Sequence, residues 1–202
     1  MILSIHPEHP EPRKIKQAVD ALRAGEVIAY PTDTVYGLGC DLMNKKAIDK
    51  LYAIKRAAKN HNLSFVCADL SDIAKYAHVD NAQYRILKHH LPGAYCFVLE
   101  ASREVPKLMQ SKKKTVGIRV PDHAVPAALV RELGSPLIST TAQLEGEEQP
   151  FLDPHELARA FPGLAIVLDG GVGGLVPSTV VDLTGGGALV LRHGAGDATA
   201  FG

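Results

Sequence analysis

A short apolar run that stops at a proline constrains this chain more than any other feature. Val27, Ile28, Ala29 and Tyr30 lead into Pro31, and Thr32, Asp33, Thr34, Tyr36, Gly37 and Gly39 follow directly. Proline has no amide hydrogen to give a central ladder, so a strand over 27–30 must end there and pass into a loop. That loop offers hydroxyls, a carboxylate and a phenol, and its glycines let backbone come close to a ligand. A strand end with such chemistry is where α/β proteins commonly hold small molecules.

The rest of the chain alternates in the same sense. Ile15, Ala18, Val19 and Leu22 recur at helical spacing and predict a helix over 12–24 that feeds the first strand. Asn44 is placed to cap a second helix with Ile48, Leu51 and Ile54 inward and its lysines outward. Further strands are predicted at 64–67, 94–100, 115–120, 136–140, 164–168, 178–183 and 188–192. Ser71 is expected to cap a short helix; a helix is predicted at 81–90, one opened by Asp122 runs to about Leu133, and Asp153-Pro154 starts one ending near Ala160. Early strand–helix alternation followed by late hairpin spacing predicts a mixed parallel and antiparallel sheet flanked by helices, in one α/β (α+β) domain over residues 1–202.

Charge enters through its distribution. The 22 basic and 22 acidic residues cancel, so net charge favours no class of partner. Lys45, Lys46, Lys50, Lys55, Arg56 and Lys59 nevertheless crowd one segment against a single acid, Asp49, and Lys112, Lys113 and Lys114 form a second run. Cys40, Cys67 and Cys96 are too widely spaced for a disulfide framework or a zinc site and read as small buried residues. No histidine pair has metal-ligand spacing, so no protein-held metal is expected. The amino-terminal stretch is too polar for a signal peptide, and no apolar run approaches the ~20 residues that span a bilayer. The expectation is a soluble, cytoplasmic protein.

Three later segments complete a pattern with the proline-ended strand: TVGIRVP at 115–121, PLISTTAQ at 136–143, and PSTVVD at 177–182 followed by LRHG at 191–194. In this order they resemble the YrdC/YciO family, and within it the YciO branch. The resemblance implies a twisted mixed sheet with a basic concave face. It implies the chemistry of threonylcarbamoyl-AMP synthases, which join L-threonine, bicarbonate and ATP, with Mg2+ carried by the nucleotide, and release pyrophosphate. The product serves threonylcarbamoyladenosine modification of tRNA.

Such a reaction needs a clamp for the amino-acid carboxylate, cations around the triphosphate and a dry pocket for a labile carbamate. Arg119 suits the clamp, because a guanidinium pairs with a carboxylate through two parallel hydrogen bonds and this residue alternates with inward-facing Val116 and Ile118. The resemblance sets Thr34, Ser139 and Ser178 beside it as threonine contacts. It assigns Lys55 to the phosphates, His61, Thr115, Thr141 and Arg192 to the nucleotide, and catalytic positions to Lys55, Thr141 and Gln143. There is no P-loop glycine motif. Lys46, Lys50, Lys59, Lys112 and Lys113 are the cations for the second reading, a non-catalytic protein that binds double-stranded RNA, tRNA or the ribosome through charge and shape. Two departures stand out: Ala57 occupies the place of a second cation, and Gln143 that of an asparagine. Together they imply a weakened or lost synthase rate, since one charged phosphate contact is worth ~100-fold or more.

Overall fold

The computed structural model describes residues 1–56, 63–106, 109, 114–144, 146–147 and 149–201. Eleven strands among them form one mixed sheet: β1 (Ile2–Ser4), β2 (Ile28–Tyr30), β3 (Gly37–Asp41), β4 (Ser64–Val66), β5 (Ala77–His78), β6 (Tyr95–Ala101), β7 (Thr115–Arg119), β8 (Leu137–Thr141), β9 (Ile166–Asp169), β10 (Thr179–Asp182) and β11 (Leu189–Arg192). Their order is β1-β9-β2-β3-β8-β4-β7-β6-β10-β11, with β5 paired to β6. β1, β9 and β2 run parallel, as do β4 with β7 and β6 with β10, while the other neighbours are antiparallel.

Among the described residues six α-helices flank the sheet: α1 (Pro12–Arg23), α2 (Lys45–Lys55), α3 (Leu70–Tyr76), α4 (Asn81–His90), α5 (Ala124–Leu133) and α6 (Pro154–Ala160). Period-2 alternation sends Phe65, Phe97, Ile118, Ile138 and Val181 to one face, where they pack with Ile48, Leu51, Ile73, Leu87 and Leu157 of α2, α3, α4 and α6. The opposite face carries Ile28, Tyr30, Val66 and Leu137 beneath Ile15, Val19, Leu22, Val125 and Leu129 of α1 and α5. This second core ends at β8 and β4. Beyond it, Gly117 and Thr115 of β7, Val98 of β6, and Val180 and Asp182 of β10 point the same way and are only partly covered. The fold thereby leaves a shelf, beside the α1/α5 layer, at which chemistry can be placed.

Several expectations are corrected. Asp69, not Ser71, caps α3, its carboxylate accepting from the Ser71 amide at 2.8 Å. His123, not Asp122, caps α5. β1, β3 and β5 fall where no strand was expected, and Gly37–Asp41 is a strand rather than part of the loop. Lys55 does not face outward: it is 6% exposed. Asn44 caps α2 and Asp153 caps α6 as expected.

Candidate functional site

Pro31 ends β2, and residues 31–36 form the bend into β3. Thr32 Oγ1 donates to the Val35 carbonyl at 2.7 Å and accepts from the Thr34 amide at 3.1 Å, which fixes the bend locally. From it, Thr34 and Asp33 reach β7. Arg119 Nη2 donates to Thr34 Oγ1 at 3.0 Å and to Asp33 Oδ1 at 3.3 Å. The other Asp33 oxygen accepts from the Asp122 amide at 3.0 Å, so one carboxylate ties the bend to both the guanidinium and the chain leaving β7. Arg119 is 8% exposed, and its Nε is buried with no hydrogen-bond partner among the described residues. Leaving a buried donor unpaired costs about 1–3 kcal/mol, a cost that an added hydrogen-bond acceptor would relieve.

The proline-ended strand has a further role. Tyr30 lies across β3 and its hydroxyl meets Ser139 Oγ of β8 at 2.6 Å. A Cβ at Gly37 would stand 2.9 Å from the Tyr30 ring and one at Gly39 2.8 Å from it, so the two glycines of β3 are the space in which the ring lies. Burial pushes the Tyr30 phenol up to about 12, against the opposing influence of Ser139 and Arg119, so it stays protonated and holds Ser139 in place. Tyr30→Phe keeps the ring and removes this partner; the expected cost is about 1–2 kcal/mol, read from the midpoint of urea unfolding, with the slope unchanged.

A second guanidinium approaches from β11. The β10–β11 ladder shifts register between Val180 and Val181, so that Arg192 rather than Leu191 stands opposite Val180, on the shelf side. Its Nε and Nη2 donate to the Ser178 carbonyl at 3.2 and 2.8 Å. Burial pushes the Arg192 guanidinium below its ordinary value, and the positive charge of Arg119 acts in the same direction. Both arginines also act on Cys96, whose thiol is pushed up by burial and pulled back by the two charges. Arg119, Arg192, Thr34, Ser178 and Ser139 are therefore brought together.

Lys55 is the last residue of α2 and meets the end of β8. Its ammonium donates to the carbonyls of Thr141, at 2.7 Å, and Gln143, fastening the end of α2 to the end of β8. This sets a positive charge next to the Gly37–Thr141 pair of the β3–β8 ladder. The Gln143 side chain is turned to the Glu147 carbonyl at 2.6 Å. Thr115 begins β7 on the shelf side. Lys46 is exposed at the start of α2, while Lys50 is paired with Glu26. His61, Lys59, Lys112, Lys113 and Ala57 lie outside the described residues.

Sequence reasoning passed over Tyr30, Asp33 as the link to Arg119, and the glycine loop after β9. In that loop Gly170 donates its amide to the Tyr36 hydroxyl at 3.1 Å, that hydroxyl donates to the Gly171 carbonyl at 2.7 Å, and the Gly174 amide donates to the Thr34 carbonyl at 2.8 Å. The signal was the cluster of glycines at 170–174 facing a tyrosine and threonines elsewhere in the chain.

His123 borders the site through Asp33. Its Nδ1 accepts from the Val125 amide at 3.2 Å, a role open only to the neutral ring. Burial lowers its pKa, outweighing the Asp33 and Asp122 charges that act to raise it. The unfolded chain, with a histidine near about 6.5, binds the proton first as pH falls, so stability is fully present above that value and is lost between it and the lower folded value. Urea midpoints should fall from pH 7.5 to pH 5, and less steeply in His123→Asn, which keeps a capping acceptor but does not titrate.

Comparison with known proteins sets this geometry in context. The Sua5/YciO/YrdC family model, described as telomere recombination, matches residues 20–194. The uncharacterized protein YciO of Escherichia coli K12 is 41% identical over 199 residues, covering 98% of this chain and 97% of that one. Its crystal structure superposes with a TM-score of 0.95, covering 100% and 98% of the two chains at 39% identity. A threonylcarbamoyl-AMP synthase of Bos taurus is 35% identical over 188 residues, 89% of this chain and 67% of that protein. The crystal structure of P. abyssi Sua5 complexed with L-threonine matches with a TM-score of 0.88 at 28% identity, covering 96% of this chain and 57% of that one.

Proposed function

We propose that this chain, which belongs to the Sua5/YciO/YrdC family, binds ATP and L-threonine at the shelf and makes threonylcarbamoyl-AMP from them and bicarbonate, at a rate reduced by Ala57 and Gln143. The observation that carries this reading is the unpartnered, buried Nε of Arg119 beside Thr34. A guanidinium held on one side by protein oxygens, with a donor still unspent, is a carboxylate clamp awaiting its acceptor. Threonylcarbamoyl-AMP synthases among the relatives, and a Sua5 complexed with L-threonine, support reading that acceptor as the threonine carboxylate.

In the reaction, the threonine carboxylate pairs with Arg119, and the amine takes up carbon dioxide, formed from bicarbonate with loss of water, and gives up its protons to solvent as the N–C bond of the carbamate forms. A carbamate oxygen then attacks the α-phosphorus of ATP, and pyrophosphate leaves. For the phosphates, Arg192 offers positive charge on the shelf and Lys55 offers it at the end of β8, and Ser139, held by Tyr30, offers a hydroxyl. Magnesium arrives with the nucleotide as part of the substrate. Incubation with ATP, Mg2+, L-threonine and bicarbonate should release pyrophosphate only when all are present, and titration calorimetry should detect ATP. Absence of both binding heat at millimolar ligand and pyrophosphate rejects the reading.

A second reading is favoured by one observation. Lys45 and Lys46 are exposed in the first turn of α2, where cations oppose the helix dipole and so do nothing for helix stability. They suit contact with phosphates of double-stranded RNA or tRNA. Gel shifts that weaken steeply with salt support it; shifts absent or indifferent to salt reject it.

A further inference from the structure

A cavity of about 630 Å3 lies where α3 and α4 meet the last turn of α5, and none of the shelf residues Thr34, Arg119, Ser139, Ser178 or Arg192 lines it. Its apolar wall is formed by Leu70 and Ala74 of α3, Tyr84 of α4, Leu91 and Pro92 after α4, and Val120 after β7. Leu91 and Val120 are buried while Tyr84 is 48% exposed, so the wall runs from core to mouth. A smaller cavity of about 220 Å3 shares Ala68, Asp69 and Arg131 with it and continues it along the end of α5.

The charges at the rim are unequal in what they have left to give. Asp69 is committed to α3, accepting from the Ser71 amide at 2.8 Å and from the Ser71 hydroxyl. Asp72, which lines the smaller cavity, accepts from the Ala68 amide at 3.0 Å. Arg131 lines both cavities from the last turn of α5; among the described residues its N–H groups donate no hydrogen bond and make no salt bridge, while its charge acts on the Asp69 carboxylate from a distance. An apolar wall beside an unspent guanidinium fits a ligand with an apolar body and one negative group. Asp69 near Arg131 disfavours a dianion such as a phosphate ester more than a monoanion, because its charge repels each negative charge of the ligand and one guanidinium offsets only one of them.

We propose that this cavity is a second binding site, separate from the shelf, for a small amphipathic monocarboxylate with an aryl or branched-alkyl body, its carboxylate held by Arg131. The site's inner wall at Val120 directly follows Arg119, which places it behind the clamp without sharing any of the clamp's side chains.

The test is a titration of the 15N-labelled full chain with 4-phenylbutyrate and, separately, with the neutral 4-phenylbutyramide, followed by amide chemical shifts. The carboxylate should shift Ala68, Leu70, Ala74, Tyr84 and Leu91, and the amide should bind at least tenfold more weakly. Arg131→Gln, an exposed position, should weaken the carboxylate at least tenfold and leave the amide unchanged. No saturable shift up to the solubility limit, equal affinity for the two probes, an unaltered response in the variant, or shifts confined to residues 34, 119 and 178 would each overturn the proposal.

Discussion

Arg119→Ala is expected to lose threonine binding beyond detection and to destabilise the fold by about 3–5 kcal/mol, because it strips the partner from a buried carboxylate. The Arg119 and Asp33 side chains are 10% and 11% exposed, so water screens the orphaned Asp33 poorly. Thr34 loses its donor in the same step. Arg119→Lys separates the two effects. An ammonium keeps the charge opposite Asp33, so most of the stability should return, but it cannot reproduce the planar fork. Threonine affinity should therefore stay down by ~100-fold in the lysine variant while its urea midpoint approaches that of the parent. Calorimetry with threonine in the presence of ATP, beside urea unfolding of the same samples, reads both quantities. Unchanged threonine binding in the lysine variant would remove Arg119 from the proposed clamp and leave it a structural tie between β7 and the bend.

The same residue shows what a linear sequence discloses and what it hides. Arg119 was legible because strand alternation puts it opposite Val116 and Ile118, and because its neighbours form a family pattern. That its fork would be half occupied by Asp33 was not legible: the contact spans 86 positions, and an aspartate in a loop looks like any turn residue. α1, α4, β6 and β7 were readable for the ordinary reason that a repeated apolar period outweighs local ambiguity. β3 was not. Its shelf-side positions are Gly37 and Gly39, so it shows no alternation, and the cause is Tyr30, a ring from the next strand that occupies the space their side chains would take. β1 is three residues long beside a polar stretch, and its strand character comes from pairing with β9 far along the chain.

Lys55 is the most instructive departure. On a helix with lysines at 45, 46 and 50, one more reads as part of a solvated face. It is buried because two carbonyls, 86 and 88 positions further on, are aimed at its ammonium. A buried cation is retained only where such acceptors exist, and nothing near position 55 announces them. The glycine loop is a related case. Read along the chain it is low complexity; in the fold each of its close approaches has a named partner.

Gly174→Ala should be the most damaging of the small substitutions available in that loop. A Cβ at this position would stand 2.1 Å from the Thr34 carbonyl oxygen and 3.0 Å from its carbon, and both are backbone atoms that cannot swing aside. The Gly174 amide also donates to that same carbonyl at 2.8 Å, so relief of the clash must break the bond. Overpacking of about 1–3 kcal/mol and a lost hydrogen bond of about 1 kcal/mol add to roughly 3 kcal/mol, a fall in melting temperature of roughly 6–12 °C for a domain of this size. Two companions make the cause identifiable. Gly171 has φ +98° and nothing within 4 Å of an added Cβ, so Gly171→Ala bears backbone strain alone and should cost about 1 kcal/mol. Gly185 has neither a positive φ nor a neighbour within 4 Å, and Gly185→Ala should stay within about 0.5 kcal/mol of the parent. If contact with Thr34 is what the loop is built for, Gly174→Ala should also weaken threonine binding at temperatures where the variant remains folded, while Gly171→Ala leaves it alone. Melting temperatures that rank the three otherwise, with position 174 no worse than 171, would show that the bend tolerates displacement and that the loop does not set the position of Thr34.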